Sequence, residues 1–206
     1  MQGDVKPDNI MISKGPLTGR SERKATLIDY NLAYEDGVNS GRARRSGTAT
    51  YMSAYKLQSA KPQPHHIYDD FESFLWVLVY CATADSKHKK GCSWENSLIY
   101  NLHMNGEKMS SRGASKYSVL SLGAKWKAEV QEHFKASFKN SEEFMAMIQE
   151  WKAQSNAIHV RRMETENWSP SSAENTEAAN MMREQATALA SFQGERAVWG
   201  DGTGVA

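Results

Sequence analysis

The chain has 206 residues and a mass of 23.1 kDa, the size of one ordinary domain or one domain with a tail. Lys and Arg total 25 against 24 Asp and Glu, and the resulting net charge of +1 gives no support to a nucleic-acid binder that works through a whole-surface field. A hydrophobic share of 40% is enough to build a core, which excludes full disorder. No run of about 18 apolar residues is present to span a membrane, and Met1–Lys6 has no apolar signal region. Cys81 and Cys92 make no disulfide framework and read as reduced thiols, so the expected location is the cytoplasm or nucleus.

Taken in chain order, Ile10-Met11-Ile12 is a short apolar run, Lys14–Gly19 carries turn chemistry, and Ala25–Ile28 is a second run of strand formers. Together they predict a hairpin. Glu35–Ser46 is polar and aperiodic, hence a loop, and its Arg42, Arg44 and Arg45 read as a solvated charge run. Lys61-Pro62-Gln63-Pro64 is a breaker. His65-His66 has no Cys or carboxylate partner at zinc spacing and reads as surface histidine. Asp69–Ala84 is apolar around nearly its whole circumference, which predicts a buried central helix with Cys81 as a packed small hydrophobe.

Trp126, Val130, Phe134 and Phe138 recur every four residues and predict one helix over Gly123–Phe138. A further helix is expected from about Ser141, with Asn140 and Glu143 in a capping-box arrangement and Phe144, Ile148 and Trp151 as its apolar stripe. The composition changes after about Met163. Ser171 and Glu174 mark a second capping box ahead of an Ala-rich segment, and the glycines from 200 to 204 read as a disordered tail. The expected class is α+β but mainly α, with a domain over 1–160 and a flexible tail over 161–206 that carries a short helix.

The chemistry lies in Gly3-Asp4-Val5-Lys6-Pro7-Asp8-Asn9. Phosphoryl transfer to a hydroxyl needs a carboxylate to orient the attacking oxygen and take its proton, a cation near the moving phosphoryl group, and an oxygen ligand for Mg²⁺. Asp4, Lys6 and Asn9 stand at the spacing that supplies these in a protein-kinase catalytic loop. Asp29 then ends the second strand, where a kinase places its other magnesium ligand. Gly47–Tyr55 and Tyr68–Leu78 follow in the order of an activation-segment end and the central helix of a kinase large lobe. Four ordered matches over about 80 residues are far more specific than any one of them.

With its Ile28-Asp29-Tyr30-Asn31-Leu32-Ala33 strand end, its Gly47-Thr48-Ala49-Thr50-Tyr51-Met52-Ser53 segment and its Asp69-Asp70-Phe71-Glu72-Ser73 helix start, the chain resembles the fungal-type protein kinases. The likeness runs from about Gln2 to Trp151, more loosely after Cys92, and corresponds to the kinase C-terminal lobe with a short β-hairpin. The resemblance implies ATP and Mg²⁺ as cofactors, a protein serine/threonine substrate, Asp4 as proton acceptor and Lys6 on the transferred phosphate. It makes Asn9 and Asp29 the magnesium ligands, has Thr48 hydrogen-bonding near Asp4 at the peptide site, and has Asp70 holding the catalytic-loop backbone from inside.

Four residues depart from the family pattern: Gln2 for His, Gly3 for Arg, Asn31 for Gly and Tyr55 for Glu. Without the Arg, the catalytic loop offers no cation to a phosphorylated activation loop. Without the Glu, the buried Arg–Glu pair that usually braces the lobe cannot form at Tyr55. Only three residues precede Asp4, so the expectation is a chain without the small N-lobe and with negligible activity alone. The exposed face would then suit a second chain, and no nucleic acid or membrane is expected as partner. Two alternatives stand beside this reading: a non-catalytic, pseudokinase-like binding module, and a small-molecule phosphotransferase of the aminoglycoside/choline-kinase type. Lys6, Gly47–Met52 and Asp69–Ser73 weigh against the latter.

Overall fold

A computed structural model describes residues 2–12, 25–33, 47–59, 63–83, 108–165, 171–174 and 176–181. The expected turn at 14–19, the loop 35–46 with its three arginines, Cys92 and the terminal glycines lie outside the described residues. The described part is mainly helical with one two-stranded hairpin. Strands β1 (Ile10–Ile12) and β2 (Ala25–Leu27) pair antiparallel, with Met11 opposite Thr26. The helices α1 (Ala54–Gln58), α2 (Ile67–Thr83), α3 (Met109–Ser121), α4 (Trp126–Glu129), α5 (Ala136–Lys139) and α6 (Glu142–Glu164) follow, and residues 172–174 and 176–181 are helical as well. None of the described helices is long and apolar enough to cross a membrane.

Helix α2 is the axis of the fold. All its residues except Ile67, Phe74 and Tyr80 are buried, as expected for a helix apolar on every side. Phe71 packs on Trp151 of α6 at a ring distance of 5.2 Å, and the Trp151 indole donates to the Phe71 carbonyl at 3.0 Å. Cys81 sits in this core, and burial pushes its thiol up to about 12.

Two helix expectations need correction. The segment 123–138 is not one helix. It is α4, a 3-10 turn at Gln131–His133, and α5. Its four apolar residues all reach the core even so, each under 5% exposed. The break has a reason: Phe134 and Lys135 turn extended, and the Lys135 N–H then donates to the Ala82 carbonyl at 2.8 Å. That bond satisfies a carbonyl at the end of α2 that has no partner within the helix. The cap of α6 is Ser141 rather than Asn140, for the Ser141 hydroxyl accepts from the Phe144 N–H while Asn140 closes α5.

Helix α6 also crosses the boundary expected at 160/161. It runs to Glu164, and Arg162 is buried. Beyond it, Ser171 and Glu174 exchange capping bonds at 2.8 and 3.2 Å, and Arg161 pairs with Glu174 at 2.7 Å. Tyr68 donates to the Glu174 carbonyl, and Ala178 is fully buried. These described tail residues are docked on the body.

Candidate active site

The site begins in the loop ahead of β1. Lys6 opens a 3-10 turn over Pro7–Asn9, with Pro7 at the first position where its fixed φ suits the helix. The turn buries Asn9 and aims its amide back at the loop, donating to the Asp4 carbonyl at 2.9 Å. The Ile28 N–H donates to the Asn9 carbonyl at 2.9 Å and so ties the end of β2 to the same loop.

Asp4 is the centre of this cluster. Its Oδ1 accepts from the Thr48 N–H at 2.8 Å and the Thr48 hydroxyl at 3.1 Å. Its Oδ2 lies 3.1 Å from the Lys6 ammonium and 3.4 Å from the Asn9 amide. The hydrogen bond to Asp4 and the charge of its carboxylate raise the Lys6 pKa. The approach of Thr48 depends on Gly47, whose φ is +105°. A Cβ there would lie 2.7 Å from the Gly3 carbonyl oxygen.

The departures from the family pattern are locally satisfied. The Gln2 amide donates to the carbonyls of Ile28 and Asp29, both at 2.8 Å, and so grips the strand end that carries Asp29. Gly3 has φ +79°, a conformation that strains any side-chain-bearing residue such as Arg. Asp29 is itself left-handed at φ +60°, and the Asn31 amide donates to its Oδ1 at 2.7 Å. A glycine at 31 could not make that bond. Beneath the loop, Asp70 accepts from the Gln2 N–H at 2.7 Å and the Gly3 N–H at 3.0 Å.

A layer of buried cations lies below, and spacing along the sequence did not reveal it. His65, expected at the surface, has a side chain only 5% exposed. Its Nδ1 meets the Lys56 ammonium at 2.8 Å and its Nε2 meets Asp70 Oδ1 at 2.8 Å. Lys56 is buried, and that burial lowers its pKa, opposed by Asp69 and Asp70.

Tyr55 takes another role in place of the expected Glu. The Arg162 guanidinium lies 3.9 Å from the Tyr55 ring centre and pairs with Asp69 at 2.7 Å. Burial pushes the Asp69 carboxyl up, but the cations around it, Arg162 foremost, hold it well below the usual carboxylate range. The Ser53 hydroxyl also donates to Asp69, at 2.5 Å.

Lys116 of α3 donates to the carbonyls of Thr50 at 2.8 Å and Met52 at 2.5 Å, with its ammonium 4.7 Å from the Trp76 ring centre. Full burial lowers its pKa, opposed by Glu72. Burial likewise raises Glu72, which accepts from the Ala54 N–H and the Trp76 indole. Lys116 of α3 and Arg162 of α6 thus converge on the segment between Gly47 and Gln58, which itself carries the buried Lys56.

Asn9 and Asp29 carry oxygen donors of the kind a small hard cation takes. The Asn9 amide nitrogen is turned to Asp4, which leaves its oxygen as the group that can ligate. Asp29 is exposed and adds carboxylate oxygen. Among the described residues no group of three His, Cys, Asp or Glu could hold a metal. Two oxygen donors completed by phosphate are the usual mode for Mg²⁺, which keeps few protein ligands.

Residues 1–82 match the family described as fungal protein kinase. No curated protein and no solved structure matches the chain.

Proposed function

From the premise that residues 1–82 match the fungal protein kinase family, we propose that the Asp4 cluster is the C-lobe half of an ATP- and Mg²⁺-dependent protein serine/threonine kinase site. Asp4 accepts the proton of the attacking hydroxyl. Lys6 balances charge on the moving phosphoryl group. Asn9 and Asp29 would hold Mg²⁺, which would supply positive charge against the negative charge of the nucleotide phosphates. Thr48 fixes the Asp4 carboxylate and lines the place where the substrate chain lies.

One observation carries this reading: Asp4 is engaged at once by Lys6 and, through two hydrogen bonds, by Thr48, 44 residues away. A solvated polar turn has no need of such a partner. The same contact favours a protein substrate over a small alcohol, because it ties the carboxylate to a segment of peptide-site type. A purely non-catalytic module draws its support from Gln2, Gly3, Asn31 and Tyr55. Each of these is accommodated by its backbone or by a partner, which weighs against that second reading.

Clamping and orientation do nearly all the work in phosphoryl transfer. The described residues include no glycine-rich loop over the phosphates and no strand lysine beside them. We therefore expect this chain alone to bind Mg·ATP weakly and to turn over far below the usual kinase range of about 1–100 s⁻¹. Calorimetry with ATP, with and without Mg²⁺, tests the half-site. Binding should require the metal and disappear in Asp29→Asn. Binding that ignores both the metal and Asp29 overturns the proposal.

A further inference from the structure

We propose that His65 is a positioning residue, a bridge through which the peptide-docking segment sets the catalytic loop. The inference rests on the kinase reading for its purpose but not for its geometry. Lys56 lies in α1, at the end of the segment that Thr48 opens. His65 stands just before α2, and Asp70 in its first turn. The line Lys56 Nζ, His65 Nδ1, His65 Nε2, Asp70 Oδ1 closes with 2.8 Å at both contacts. Asp70 passes the line on to the backbone N–H groups of Gln2 and Gly3.

The chemistry fixes the direction of the bridge. A lysine ammonium only donates, so Nδ1 must accept; a carboxylate only accepts, so Nε2 must carry the hydrogen. One tautomer of a neutral ring satisfies both ends. Other charges converge on this group: Asp69 lies 4.0 Å from Nδ1, and Arg162 is paired to Asp69. The carboxylate that hangs the catalytic loop thus shares one oxygen between Gly3 and His65. Loss of the imidazole frees that oxygen to rotate, and with it the N–H groups beside Asp4. A hydrogen bond to a charged group commonly shifts an equilibrium by about 10- to 100-fold.

The full 206-residue chain, labelled with ¹⁵N, allows the test. Long-range ring correlations should show His65 as the neutral Nε2–H tautomer. His65→Phe keeps the shape but not the bridge, and it should speed hydrogen exchange at the Gln2 and Gly3 amides by about 10- to 100-fold. Core amides of α2 such as Leu75 should not change. His65→Gln, whose amide can still donate to Asp70, should restore most of the protection. Lys56→Met should shift the Gly3 amide resonance without unfolding. If His65→Phe does not fold, the wild-type tautomer and Lys56→Met decide the matter. An Nδ1–H tautomer overturns the proposal. So do Gln2 and Gly3 amides that no variant moves. ATP binding that ignores both Mg²⁺ and Asp29 would overturn the kinase reading while leaving these amide measurements to judge the bridge.

Discussion

At the scale of single residues, His159 carries the plainest cost. It is 1% exposed and stacks on Tyr117 at 4.3 Å, yet neither ring nitrogen has a hydrogen-bond partner among the described residues. Burial, aided by the Arg162 charge, lowers its pKa from 6.5 to about 4. The unfolded chain therefore binds a proton between pH 6.5 and 4 that the folded chain refuses. Stability from this residue is full above pH 6.5 and is lost as pH falls toward 4, by about 3 kcal/mol at the limit. His159→Phe keeps the stacking and removes two unmet polar atoms. Its urea midpoint at pH 7 should equal or exceed that of the wild type, and the fall between pH 6.5 and 4.5 should be visibly smaller. A mutant that loses stability at pH 7 while keeping the full acid slope would show that another group titrates.

At the scale of elements, α3 shows why periodicity has limits. Nothing in the sequence announces it, because its buried stripe is Arg112, Gly113, Lys116, Val119 and Leu120. Two cations and a glycine break the apolar pattern that reveals α2. The opposite error occurs at 123–138, where a true four-residue recurrence is spread over separate short turns. That recurrence reports which side chains enter the core, not the continuity of the backbone. The hairpin and α2 were legible because they are built by local preference and by burial on all sides.

Gly113 has its own reason for standing in a helix, where it is about 1 kcal/mol worse than Ala. A Cβ there would lie 2.7 Å from the Gln58 nitrogen and 2.9 Å from the Leu57 Cβ. Helix α3 can press so closely on α1 only without a side chain. Gly113→Ala, a better helix former, is therefore expected to lower stability by about 1–3 kcal/mol through overpacking, as measured by chemical denaturation. A stabilised Gly113→Ala would show that α1 yields easily.

At the scale of the whole molecule, the division between what was readable and what was not follows distance along the chain. Asp4, Lys6 and Asn9 lie within one loop, and their types and spacing name a chemistry. Asp29, Thr48 and Asp70 were reached by the order of motifs. His65, Lys116 and Arg162 were not reached at all, since their meaning depends on partners brought together only by folding. Arg162 pairs with Asp69 across 93 residues. Breaking such a buried pair by removing one member leaves a charge uncompensated, typically at about 3–5 kcal/mol. Arg162→Leu should destabilise the chain on that scale in equilibrium unfolding. The double variant Arg162→Leu with Asp69→Asn should recover part of the loss. No recovery would mean that Arg162 acts through its stacking on Tyr55 instead.

That long pair also governs timing. A ribosome adds about 5–20 residues per second, so roughly 5–19 s separate the synthesis of Asp69 from that of Arg162, 93 residues later. Throughout that interval Asp69 has been made but lacks its Arg162 partner, and the ground beneath the Asp4 loop is unfinished. The loop is thus written early and becomes rigid late, held back until the last turn of α6 docks.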